Sequence, residues 1–124
     1  MRCVLLVLLV SATLAACAAE EADVEVDTRA CNDTGSDLTE VSYAWTHDTP
    51  ALAAGECTEY VHSSTPVTRS PRVVFTLGAD HYYAPPDDVP DRPNASITEG
   101  RWTYRLFVYD AAHLRAGVDA EQDQ

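Results

Sequence analysis

The feature that most restricts the fold is period-two alternation broken by turn residues, clearest over residues 102–109. Trp102, Tyr104, Leu106 and Val108 share one side of an extended chain there, and Thr103, Arg105, Phe107 and Tyr109 share the other. That pattern suits a strand covered in part on both faces. Shorter versions recur along the chain. Val24, Val26 and Thr28 alternate with Glu25, Asp27 and Arg29, and Cys31 ends this strand before the turn-rich residues 32–37. Residues 38–46 follow as a second strand with Val41, Tyr43 and Trp45 on the inner face, and Pro50 stops it.

Residues 52–56 read as a turn, residues 57–62 as a third strand and residues 72–77 as a fourth, rich in β-branched side chains. Gly78-Ala79-Asp80 then turns into a fifth strand over residues 81–84, a hairpin. Pro85, Pro86, Pro90 and Pro93 surround Asp87, Asp88, Asp91 and Asn94; proline lacks the ladder donor, so this segment is a loop. Six or seven short strands in fewer than 90 residues predict an all-β fold, a small antiparallel β-sandwich of immunoglobulin-like or transthyretin-like kind, with a small barrel as the rival. The domain is expected over residues 24–110. Residues 111–116 can form a helical turn, and residues 111–124 are expected to be a poorly ordered tail.

The N-terminus carries an address. Arg2 precedes an apolar run over residues 4–10, and Leu14-Ala15-Ala16-Cys17 closes it. The run is well short of the roughly 20 residues that a spanning helix needs. Leu14-Ala15-Ala16-Cys17 resembles the lipobox of bacterial lipoproteins. The resemblance implies cleavage of residues 1–16 as a signal peptide, lipidation of Cys17, and residues 17–23 as a lipidated N-terminus and acidic tether. Each buried methylene contributes about 0.8 kcal/mol, so several acyl chains make a lasting membrane anchor. Ala18 follows the cysteine where an Asp resembles an inner-membrane retention signal, which implies an outer-membrane location in the cell envelope.

Removal of residues 1–16 takes away Arg2 and no acid, leaving 7 arginines against 20 acidic residues and a formal charge of −13. Such a surface repels phosphate backbones, so nucleic acid is not an expected partner. The cysteines sort in the same way: Cys3 leaves with the signal and Cys17 takes the lipid, so Cys31 and Cys57 have only each other. A disulfide across that separation stabilises by about 3.5 kcal/mol. A two-cysteine metal site is the alternative, but neither residue has a His or Cys at ligand spacing.

The remaining chemistry is sparse. His47, His62, His81 and His113 are scattered, and no serine sits in a Gly-x-Ser-x-Gly elbow. No catalytic residue, metal site or cofactor is expected, and the chain is not expected to be an enzyme. Tyr43, Trp45, Trp102 and Tyr104 fall where core packing explains them. Tyr82 and Tyr83 point to opposite faces, so they are candidates for a binding surface, together with Asp87, Asp88 and Asp91. Those acids offer hard oxygen ligands to calcium but lack the spacing of a dedicated loop.

Residues 32–41, 52–60 and 99–106 resemble segments of small uncharacterised bacterial lipoproteins with such sandwich folds. The resemblance covers most of the domain, rests on turns and core positions, and implies architecture without a catalytic residue. The expected role is a lipid-anchored, non-catalytic binding or structural module of the cell envelope. The alternative is an inhibitor or capture protein for cationic partners such as lysozyme, which opposite charge would bring in quickly. The anchor is tested by Cys17→Ala: the variant is expected in the soluble fraction of lysed cells and the parent in the membrane fraction. A variant that stays in the membrane fraction removes the lipid-anchor reading.

Overall fold

The computed structural model describes residues 24–44, 47–86 and 96–124. These form an all-β fold with one disulfide and no α-helix among the described residues. In chain order the strands are β1 (Glu25–Asn32), β2 (Leu38–Tyr43), β3 (His47–Leu52), β4 (Val61–Ser63), β5 (Val67–Thr68), β6 (Val73–Leu77), β7 (Asp80–Ala84), β8 (Ser96–Ile97), β9 (Glu99–Asp110) and β10 (Arg115–Gln122). Eight of them make one sheet in the order β3-β2-β6-β7-β10-β9-β1-β4, while β5 and β8 pair separately.

The sheet has two halves. One is β3-β2-β6-β7, the other β10-β9-β1-β4, and they join where Arg115 of β10 pairs with Tyr83 of β7. The halves then face each other. Tyr43 of β2 and Tyr104 of β9 meet edge to face with ring centroids 5.8 Å apart, although three strands lie between theirs in the sheet. A flat sheet cannot bring those rings together. The sheet therefore curls over one core, with Leu38, Val41 and Phe75 from the first half and Ala30 and Leu106 from the second. An aromatic pair of this kind contributes about 0.5–1.5 kcal/mol beyond the area it buries.

Most ladders are antiparallel, but two are parallel. β1 runs beside β9 in unbroken register from Glu25↔Glu99 to Asn32↔Leu106, and β7 meets β10 in parallel. A parallel pair needs a long crossover. Here the chain between β1 and β9 builds the whole opposite half of the fold on the way. A second, smaller core forms under β5 and β8, where Ile97 packs with Val26 and Trp102, and Arg69 lies 5.0 Å over the Trp102 ring.

The structure revises several expectations. Residues 111–124 are not a poorly ordered tail: residues 111–113 form a 3-10 turn capped by Asp110, and β10 then pairs along β9 from Arg115↔Asp110 to Gln122↔Trp102. The domain therefore runs past residue 110. Its alternation is muted, because the inward side chains are Ala116, Val118 and Ala120 and the outward ones include Gly117. Gly117 makes room for its neighbour, since a Cβ there would stand 2.4 Å from the Phe107 ring directly opposite and would push that ring aside.

Pro50 does not end the strands of this region. It lies within β3, at the edge of the sheet, where a missing N–H disrupts no second ladder. The expected third strand shrinks to Val61–Ser63, with Cys57 making only an isolated bridge to Cys31. The expected hairpin over residues 72–84 is present as β6 and β7, in register from Val73↔Ala84 to Leu77↔Asp80. Trp45, expected inside, lies outside the described residues.

Deleting residues 111–124 is expected to abolish cooperative folding, because it strips β9 of one partner and parts the two halves. A truncated chain that keeps dispersed amide resonances and a sigmoidal thermal transition would show that β10 is dispensable.

Candidate functional site

The chain leaves β3 at Leu52, turns through residues 53–56 and returns along β1. Gly55 takes a φ of 79° in this turn, which favours glycine. The Glu56 carboxylate accepts from Ala53 N at 2.8 Å and Asp37 accepts from Ala54 N at 3.0 Å. The returning segment is stitched to β1 by Asn32 N donating to Glu56 O (2.9 Å), Thr58 N donating to Ala30 O (2.8 Å), and the Cys31–Cys57 disulfide. Residues 47–52 and 57–61 thus become the two lips of a seam. The first lip is β3, the outer strand of one half of the sheet; the second is the segment that leads into β4, the outer strand of the other; between them is a cleft of about 480 Å³.

Tyr43, Leu52 and Cys57 line the cleft, together with His47, Asp48, Thr49, Thr58 and Glu59 on the lips. The His47 ring lies 5.0 Å from that of Tyr43. Partial burial lowers the His47 pKa against the opposing charge of Asp48, so the imidazole is neutral at pH 7. The charges on the lining are then those of Asp48, Glu56 and Glu59, all negative. Tyr43 is 2% exposed, and its hydroxyl is buried without a hydrogen-bond partner. Burial raises its pKa, with the nearby Thr58 hydroxyl pulling the other way. Thr58 is itself committed, donating to Glu59 O and accepting from Ala30 N. Thr49 likewise donates to Ala51 O. The cleft therefore offers acceptors, negative charge and one buried phenol, a set suited to recognising a cationic, hydrogen-bonding group.

A second cluster lies on β1, β9 and the end of β10. The Arg29 and Arg101 guanidiniums stand 4.8 Å and 3.9 Å from the Tyr60 ring centroid. The Tyr60 hydroxyl donates to the Asp123 carboxylate, which also accepts from Thr103 Oγ1 at 2.9 Å. Arg29 Nε donates to Thr103 Oγ1 at 3.0 Å. Thr103 is fully buried, so this network satisfies its hydroxyl and fastens the chain beyond β10. Desolvation pushes the Asp123 pKa up. The hydrogen bonds from Tyr60 and Thr103 and the two arginines outweigh it, holding the carboxyl below its usual value.

The residues singled out from sequence scatter. Cys31 and Cys57 are bonded to each other. Tyr82 is not a surface residue: it is buried and stacked on Phe75 with centroids 5.5 Å apart, because its face of β7 closes the core. Tyr83, on the opposite face, is 42% exposed with Arg72 5.8 Å from its ring centroid. Asp87, Asp88, Asp91 and Cys17 lie outside the described residues. His62 pairs with Asp27 at 2.9 Å and His113 with Asp110 at 2.8 Å, while His81 bonds the Thr76 hydroxyl. Among the described residues no group of three or more His, Cys, Asp or Glu is placed to hold a metal ion, and no helix is long and apolar enough to cross a membrane. Sequence reasoning placed Tyr43 in the core, which is right for its ring, but missed that its hydroxyl ends at a seam. No protein-family model, curated protein or solved structure matches the chain.

The Asp123 network makes stability depend on pH. A carboxyl with a depressed folded pKa stabilises above its unfolded value, and that contribution is lost as pH falls through the folded one. Asp123→Asn is expected to cost about 1 kcal/mol at pH 7 and less at pH 3, measured by urea unfolding. An equal cost at both pH values would mean that the carboxylate charge is not what secures the C-terminal end.

Proposed function

We propose that the protein is a lipid-anchored, non-catalytic binding module of the bacterial cell envelope, held by Cys17 at the outer membrane. The observation that carries the binding-module reading is the acidic cleft beside the open edge of β3, with the unpartnered Tyr43 hydroxyl at its lining. The distance from the anchor to the cleft supports the reading. A tether of seven residues, 17–23, reaches at most about 25 Å. β1 starts at Glu25, beside the start of β9, and Cys57 pairs six residues further along at Cys31. At about 3.3 Å per residue the cleft sits roughly 20 Å from the start of β1, which leaves it clear of the tethered end.

The charge favours cationic partners, and lysozyme capture or inhibition is the specific form of this reading. The formal charge of −13 on the chain after Cys17 raises encounter rates with a basic protein, and the cleft lining adds no positive side chain to oppose it. Salt separates specific capture from loose attraction, since exposed charges further apart than about 8 Å are largely screened at 0.15 M. Adding the full chain in mild detergent is expected to slow lysozyme at low salt and still to slow it at about 0.15 M. Unimpaired lysozyme at low salt removes the capture reading, and inhibition that vanishes with salt reduces it to charge attraction.

A further inference from the structure

Three independent features coincide at the seam between β3 and residues 57–61: the open edge of β3, a lining of one charge sign, and a buried hydroxyl without a partner. We propose that this seam binds an extended, basic peptide segment of a cationic protein as an added strand. The inference rests on the reading of the chain as a binding module, and it names the site and the chemistry of the occupant.

The backbone supplies the first reason. β3 is a terminal strand of the eight-stranded sheet, so its outer edge presents N–H and C=O groups with no strand beside it, less the N–H that Pro50 lacks; residues 57–60 opposite are extended chain outside any strand and lead into β4, the other terminal strand. The lips run in opposite directions, because residues 53–56 reverse the chain between them. An incoming strand is then parallel to one lip and antiparallel to the other. The ladder forms along β3, and either direction serves, since this sheet already uses both. Addition of a peptide strand to an open edge is an established recognition mode, in which the main chain supplies affinity and alternate side chains supply selectivity.

Charge selects the occupant. Asp48 stands on one lip and Glu59 on the other, both exposed, and neither takes part in an ion pair among the described residues. An acidic strand, including one from a second copy of this chain, meets like charge on both sides. Arginine or lysine at alternate positions meets a carboxylate. The intervening side chains face Leu52, Cys57 and Tyr43 and should be apolar. The seam is also rigid at its closed end, where the disulfide and Asn32 hold it, so little ordering is lost on binding.

Tyr43 supplies the third reason. A buried hydroxyl without a partner weakens the free fold, and a peptide backbone entering the seam brings the carbonyl or amide that it lacks. Tyr43→Phe is therefore expected to keep or raise the unfolding temperature of the free protein while weakening peptide binding about fivefold. A residue that only fills the core would not separate the two readouts.

The test uses a seven-residue peptide alternating arginine and valine, with a glutamate-valine peptide as control, titrated into the full chain in mild detergent. Amide resonances are followed by NMR, and amide exchange is measured in parallel. The arginine peptide is expected to shift and protect amides of residues 47–52 and 57–61. The double variant Asp48→Asn, Glu59→Gln should weaken it about three- to tenfold at low salt. Shifts confined to the exposed faces of β9 and β10, equal binding of the glutamate peptide, or unchanged affinity in both variants each overturn the proposal. If cationic proteins are captured equally by the double variant and the parent, the seam assignment fails while the binding-module reading stands. If neither the peptides nor any cationic protein binds, both fail.

Discussion

The architecture depends on one short clamp, the pair Cys31-Asn32 at the end of β1. The disulfide joins Cys31 to Cys57 where the two backbones already bridge. Beside it the fully buried Asn32 side chain donates to Leu52 O at 2.9 Å and Ser36 O at 2.7 Å, and accepts from Thr34 N and Oγ1. Its backbone also takes part, with Gly55 N donating to Asn32 O at 2.9 Å. One residue thereby ties the end of β1, the following turn and the end of β3. Replacing that amide by an apolar group would strand the buried Leu52 carbonyl, at a cost of about 1–3 kcal/mol, and would loosen the half-buried turn at Thr34 and Ser36 as well.

The clamp explains why the curled sheet has a seam at all. β3 belongs to one half of the fold and residues 57–63 to the other, yet they are arms of a single connection pinned at its turn. Near Leu52 and Cys57 the halves are stitched together. Away from the turn each arm follows its own neighbour, β2 or β1, and the cleft opens between them. Tyr43 lies where that divergence begins, with its ring held by Tyr104 in the core and its hydroxyl left beside Thr58 without ordinary hydrogen-bond geometry.

How much of this is legible in the sequence depends on how strongly each segment signals its period. β9 and the β6-β7 hairpin are plain, because bulky or β-branched residues alternate and Gly78 takes a φ of 65° in the turn between them. β10 is faint for a physical reason: its inward residues are Ala116, Val118 and Ala120 and its outward ones include Gly117, crowded by the Phe107 ring, so the two faces carry little hydrophobic contrast. β3 is disguised by Pro50, which excludes a central strand but not an edge. The disulfide follows from cysteine arithmetic, whereas the cleft does not. It arises from the meeting of His47, Tyr43 and Glu59 across a closed turn, and no local pattern encodes that meeting. Nor does composition separate Tyr82 from Tyr83, since alternation says that they part without saying which of them turns inward.

The residues along the seam also carry the usual defences of an open sheet edge. A sheet with two free edges invites pairing with other chains, and edge charges, prolines and bulges are the usual defences. Pro50 removes one donor from β3. Glu40, with a φ of 51°, breaks the register of β2 against β6, and Asp48 and Glu59 place like charge on both lips. These features raise the barrier to closing the sheet on itself or on a copy of itself, since each such closure sets carboxylate against carboxylate. They place no such barrier before a chain of opposite charge. The part of that defence that rests on charge is selective by construction, and here the charge is all of one sign.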